Sequence, residues 1–167
     1  MTALFAGLLH PLVVPAHVAA IAALALLIGQ QNWDRNVPMA YVVAVLLGLG
    51  AIAMAYVPKF TEERLLAFAA ITGLLVALSR PLPQELGVLL AAAVGISLAL
   101  DSPPEALALR EANLTLVGTA VGAVLLLLAL VQGTSRLRRH WQRIGARIAG
   151  SWIAATAILV LALRLVR

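Results

Sequence analysis

The feature that most constrains this chain is where its charges are missing. No Asp, Glu, Lys or Arg occurs in 1–33, 36–58, 65–79, 86–100, 112–135 or 148–163. A helix needs about 20 mostly apolar residues, within a range of about 17–25, to cross the hydrocarbon of a bilayer. The first, second and fifth runs meet that length. The other three, of 15 or 16 residues, reach it when Arg64, Arg80, Glu85, Arg147 and Arg164 lie at the interface and extend their heads to water. The pattern predicts an all-α, polytopic membrane bundle forming a single domain over 1–167. It has about six spans, at roughly 4–29, 37–57, 62–80, 84–101, 111–134 and 147–165. An alternative has four spans plus a re-entrant pair made from the third and fourth runs, and the tight Arg80–Glu85 link fits both. Hydrophobic residues make up 63 % of the 167 and charged residues 11 %, against roughly half and a quarter in a soluble domain. So short a chain has too little interior to hide that much apolar surface from water. Cysteine is absent, which excludes a disulfide scaffold, thiolate metal sites and thiol nucleophiles.

The breaks between runs carry turn chemistry. Gln30 to Asn36 is polar, and Pro38 suits a first helical turn. Thr61 is a candidate N-cap, with Glu62 and Glu63 in the first turn, where the helix dipole favours anions. Ser102-Pro103-Pro104-Glu105 reads as a capping box that could start a helix near 103 and run into the fifth span. With six spans the first, third and fifth connections share a side, which carries Arg35, Arg80, Arg136, Arg138, Arg139, Arg143 and Arg147. The other side carries Lys59, Arg64, Arg110, Arg164 and Arg167. The excess of basic residues is expected to place the 136–147 loop in the cytoplasm and both termini outside. No Lys or Arg precedes Arg35, so the first helix lacks the basic start of a signal peptide and is expected to be retained.

The formal charge of +5 thus resolves mostly into one loop, which removes it as evidence for nucleic acid. Within that loop Leu137, Trp141, Ile144 and Ile148 form an apolar helical stripe, with Arg139, Arg143 and Arg147 on another face. Such a segment lies in the headgroup layer and attracts anionic lipid, or simply fixes topology. His140 is expected to be solvated or interfacial.

No ionisable Asp, Glu, Lys or Arg sits in mid-span, which argues against a carboxylate proton relay or a voltage sensor. The hydroxyls of Thr72, Ser97, Thr115, Thr119, Ser151 and Thr156 are expected to bond within or between helices. Gly118 and Gly122 form a GxxxG pattern that marks close helix packing. His10 and His17 stand out: they share one apolar helix, two turns apart, beside Pro11 and Pro15. Imidazole is a common ligand for late first-row divalent metals, and an intramembrane ionisable residue is a functional candidate by default. Each proline frees a carbonyl one turn earlier, those of Gly7 and Pro11, as in the broken helices that line transport sites. In a regular helix the two histidines stand about 10.5 Å apart along the axis, too far to share one ion. Either the prolines unwind the segment or each histidine is a separate waypoint. The plain structural alternative is that both are neutral and hydrogen-bonded within the bundle.

The run from Gly7 to His17, His10-Pro11 included, followed by an Ala/Leu-rich helix ending Gly29-Gln30-Gln31, resembles the first helix of the HupE/UreJ family. These are small membrane proteins of about six helices, associated with hydrogenase and urease clusters and regarded as secondary nickel or cobalt permeases. His10, Pro11 and His17 match the family's signature in register. Its Gly falls at Val14 and its Asp at Ala16, and the paired His-Gly elements of its later helix have no counterpart here. The absent Asp removes an anionic ligand that would offset a dication. The resemblance implies a divergent metal permease with His10 and His17 as a metal site, Gln30 and Gln31 at the inner mouth, and nickel or cobalt as cargo rather than as a tightly bound cofactor. A homo-oligomer is compatible with it. Two other readings are a non-transporting membrane accessory protein working through the basic loop and the glycine face, and a permease for a small uncharged solute. No acid, base and nucleophile constellation lies in the spans, which argues against an enzyme.

Overall fold

A computed structural model describes residues 2–54, 59, 61–102, 109–137 and 139–166, without the side chains of Thr2 and Leu109. Seven α-helices follow one another: α1 (Thr2–Val13), α2 (Pro15–Gln31), α3 (Asn36–Ala53), α4 (Thr61–Leu78), α5 (Gln84–Leu100), α6 (Leu109–Thr134) and α7 (His140–Leu165). The all-α membrane bundle expected from the uncharged runs is what forms. Among the described residues, length and composition alone single out three or four candidate spans. α3, α6 and α7 are each long and apolar enough to cross a membrane, and α1 with α2 makes a fourth candidate bent by 67°. α5 is a shorter apolar helix, and the first turn of α4 carries Glu62 and Glu63. The capping box proposed at 102–105 and the start of a helix near 103 fall mostly outside the described residues, as does Arg138. The Ser102 hydroxyl itself donates back to Leu98 O at 2.8 Å.

The first long run divides where proline chemistry dictates, but at one proline only. α1 continues through Pro11, so that residue does not break it. The break falls at Val14, which is extended (φ −85°, ψ 112°), and Pro15 opens α2. A residue before proline is pushed out of the helical region by the pyrrolidine ring, and proline at a helix start gives up an amide that would be unpaired anyway.

α1 packs on α6, α3 on α5 and α4 on α7, while α2 lies against α4 and α6. The α1–α6 seam is built on glycine: an added methyl at Gly118 would strike Leu4 O, at Gly122 Leu8 O, and at Gly7 Thr115 O. Backbones meet this closely only where side chains are absent, the device that membrane helices use when no hydrophobic force draws them together. Leu4 is level with Gly118 and Leu8 with Gly122, so α1 and α6 run parallel. Gly29, at the far end of α2, lies against Thr134 at the far end of α6. The bent pair therefore accompanies the whole length of one long helix, as a broken span does. Gly73 and Gly150 form the corresponding contact between α4 and α7.

The connections fall on two ends, as the alternation of spans requires. At one end Gln31 donates to Arg80 O (2.6 Å) and accepts from Leu82 N (3.2 Å), while Trp33 Nε1 donates to Leu82 O (3.4 Å). Arg147 Nε donates to Ala77 O (3.0 Å) at the same end. At the other, Glu62 pairs with Arg164. Ile21, Leu24, Leu27, Leu65, Val94, Leu98 and Leu127 are fully buried in between. Phe5, Leu47, Leu89, Trp152 and Leu163 are among the many large apolar residues facing outward, a surface suited to hydrocarbon and costly in water. The hydroxyls of Thr72, Thr119 and Thr156 return to carbonyls four residues earlier in their own helices.

Substituting Gly122 by Val should force α1 from α6 and destabilise the bundle by about 1–3 kcal/mol, the usual cost of overpacking. Gly50, which has nothing within 4 Å of an added methyl, is expected to accept Ala with no loss, since Ala is favoured over Gly in helices. Thermal melting in detergent checks both, and equal melting of G122V and wild type would contradict the seam.

Candidate metal site

The bend at Val14 settles the geometry that a straight helix forbids. The rings of His10 and His17 stand 5.2 Å apart, centre to centre, with an interplanar angle of 72°. With each donor nitrogen about 2.1 Å from a shared ion, two imidazole centres lie about 5 Å apart. The separation thus fits two imidazoles on one ion. Of the two alternatives, an unwound segment or separate waypoints, the ring geometry corresponds to the first.

His17 is fully buried, and the structure supplies it with a partner remote in sequence. Its Nε2 lies 3.1 Å from Oδ2 of Asp101. Asp101 follows the last residue of α5, and its side chain is only 13 % exposed. The other carboxylate oxygen, Oδ1, accepts a 2.6 Å hydrogen bond from the Thr61 hydroxyl at the start of α4. Thr61, expected to cap its own helix, is instead directed to this carboxylate. The ends of three helices thus converge on one small polar cluster within the apolar bundle.

The chemistry follows from the order of bonds. A carboxylate only accepts, so the imidazole nitrogen facing it carries the proton. Donation from Nε2 leaves the lone pair on Nδ1. Nδ1 is buried and has no hydrogen-bond partner among the described residues. A carboxylate that fixes the tautomer and raises the basicity of a histidine is the usual outer support of an imidazole ligand. Asp101 and Thr61 were missed because nothing in the sequence links them to His17. Asp101 is the first charged residue after the fourth run, with no spacing that ties it to the first helix. Asp101, just beyond α5, sets beside His17 a carboxylate that Ala16 does not supply.

Among the described residues no three His, Cys, Asp or Glu side chains form a cluster able to hold a metal ion. The arrangement is a pair of imidazoles with one of them carboxylate-supported, not a closed structural site of the four-ligand kind. Of the other residues singled out, Pro15 shapes the bend, Pro11 lies within α1, and Gly118 and Gly122 pack on α1. Arg136, Arg139, Arg143 and Arg147 lie at the opposite end of the bundle.

Replacing Asp101 by Ala leaves a buried N–H without its acceptor, at a cost of about 1–3 kcal/mol. Nitrogen-15 spectra of histidine-labelled protein are expected to show a single His17 tautomer, protonated at Nε2, in the wild type and a mixture in D101A. A wild type protonated at Nδ1 would contradict this arrangement.

No curated protein and no solved structure matches the chain significantly. The family model described as HupE / UreJ protein matches residues 1–160. Nearly the whole chain is covered, beyond the first helix that carries the recognisable residues, and the chain belongs to the HupE/UreJ family.

Proposed function

We propose that this protein is a permease for a divalent transition-metal ion, nickel or cobalt, serving the maturation of urease or hydrogenase. Its place is the bacterial inner membrane, with the basic 136–147 segment in the cytoplasm and the termini outside. The observation that carries the reading is the paired imidazoles of His10 and His17 at 5.2 Å, the second braced by Asp101. Family membership points to nickel and cobalt handling, and imidazole nitrogen suits both ions.

Two imidazoles and an outer carboxylate make a site of modest affinity, as a passing cargo requires. His10 and His17 replace part of the ion's hydration shell. Asp101 keeps a lone pair on His17 and offsets part of the charge, which is costly in surroundings of low polarisability. The carboxylate belongs to the layer of connections rather than to mid-membrane, so its own desolvation is limited.

The accessory-protein reading depended in part on a free glycine face. Gly118 and Gly122 are covered by α1, which takes that face from any partner.

The test is accumulation of nickel and of cobalt, measured separately, at limiting metal in cells carrying His10→Ala, His17→Ala or Asp101→Asn. Both histidine variants are expected to lose transport by tenfold or more, one lost ligand costing at least about 1.4 kcal/mol, and D101N to retain a fraction. Unchanged accumulation in both histidine variants, with protein levels equal, would refute the reading.

A further inference from the structure

The end of the bundle away from the histidines holds a cavity of about 620 Å³, lined in part by the Gln30 and Gln31 that the permease resemblance sets at an inner mouth. It lies where the last turns of α2, α4 and α6 meet the first turns of α7, and Gln30, Gln31, Ser79, Arg80, Thr134 and Arg143 are among its lining residues. None of the lining residues is acidic, so a free dication meets two guanidinium groups and no countercharge. The cavity is built for a different ligand.

Its hydrogen-bonding capacity has two signs. Arg80 and Arg143 are exposed, and their guanidinium groups suit phosphate oxygens, which they recognise by charge and by paired donors. Carbonyls of the helix ends are largely taken: Val76 O accepts from Gln30, Ala77 O from Arg147, Arg80 O from Gln31 and Ala25 O from Thr134. What is left over is Oε1 of Gln30, a buried acceptor with no partner among the described residues. The amide is held in place by its nitrogen, which donates to Ser79 Oγ at 2.7 Å. A ligand that satisfies both halves carries an anionic phosphate and a hydroxyl donor.

The helix that brings Arg143 to the cavity also carries an exposed apolar stripe suited to acyl chains. Trp141 is 65 % exposed, and Ile144 and Ile148 are also exposed, on the same first turns of α7 that bring Arg143 to the cavity. Tryptophan at a helix end marks the membrane interface, and basic pockets between spanning helices at that depth receive lipid headgroups.

We propose that this cavity is a specific site for the headgroup of an anionic, hydroxylated phospholipid of the phosphatidylglycerol type. Arg80 and Arg143 hold the phosphate, Gln30 accepts from the headgroup hydroxyl, and the acyl chains lie along the outer face of α7. The site differs from diffuse attraction to a basic loop because it needs two arginines from different elements and spares their neighbours. It does not rest on the histidine pair, since it concerns the opposite end of the bundle.

The test uses the purified full chain, stripped of lipid in detergent. Its melting temperature and its lipid retention by native mass spectrometry are followed on adding phosphatidylglycerol, phosphatidylcholine, sn-glycerol 1-phosphate or inorganic phosphate. Phosphatidylglycerol alone should raise the melting temperature and remain bound. Arg80→Gln and Arg143→Gln should each weaken retention about fivefold, the effect of one basic residue near a membrane surface. Arg136→Gln, in the same basic segment but off the cavity, should leave it unchanged. Equal retention of phosphatidylcholine would overturn the proposal, as would an R136Q loss matching that of R80Q. An equal rise with glycerol phosphate or inorganic phosphate would do so too, by making the site one for soluble anions. Should the cavity variants misfold, the comparison of the four additives on wild-type protein decides alone.

Discussion

The peptide bond between Val14 and Pro15 is the constraint on which the rest of the bundle depends. A membrane helix must satisfy its backbone within itself, and a proline inside it forfeits one amide and crowds the preceding residue. Here the helix restarts at that point, with Val14 extended and Pro15 at the first position of α2. The 67° bend lets α1 run down the glycine seam of α6 while α2 enters the centre against α4 and α6. It also turns an axial separation of two helical turns into a pair of rings in near contact. A proline at position 11 alone does none of this, because α1 carries Pro11 without breaking.

The second dependence is electrostatic. A fully buried histidine needs a partner, and a carboxylate deep in hydrocarbon would be expensive. The fold reconciles these by using chain ends. α5 stops at Leu100, so Asp101 sits at the boundary with part of its surface still wet, and α4 starts at Thr61, whose hydroxyl takes up the second oxygen. Placement at a helix end thus gives a charge that reaches the interior without being wholly in it. α4 begins at Thr61 and α5 ends at Leu100, and these ends bring Thr61 and Asp101 to the level of His17.

That coupling explains what could and could not be seen in the sequence. Runs without charge set the helices, because exclusion of ionised groups from hydrocarbon is a local property of each residue. The glycines at 118 and 122 and the prolines at 11 and 15 were visible for the same reason, since each acts on its own backbone. Which proline would break the helix was not, because both have equal intrinsic cost and tertiary packing decides between them. Asp101 was invisible as a partner of His17: 84 residues separate them, and only the antiparallel return of α5 beside α2 brings them together. Among the described residues three helices and one bent pair are long and apolar enough to cross a membrane, while α4 and α5, from the two shortest uncharged runs, fall outside that measure and still link one end of the bundle to the other. In α4 the flanking acids Glu62 and Glu63 form the first helical turn, and in α5 the helix extends the uncharged run by only Gln84 and Glu85.

The two polar ends of the molecule are divided by a dry middle. Along α2, Ile21, Leu24 and Leu27 have no solvent exposure, and Leu65, Leu98 and Leu127 close on them from α4, α5 and α6. An ion held by His10 and His17 therefore has no polar route to the Gln30 end in this arrangement. Since close aliphatic packing does not deform continuously, the permease reading would need α2 to shift as a unit against α4 and α6. The backbone ladder is interrupted at the Val14–Pro15 joint, so rotation there breaks little regular helical bonding. The same residue that assembles the imidazole pair is then the place at which the pair can be taken apart.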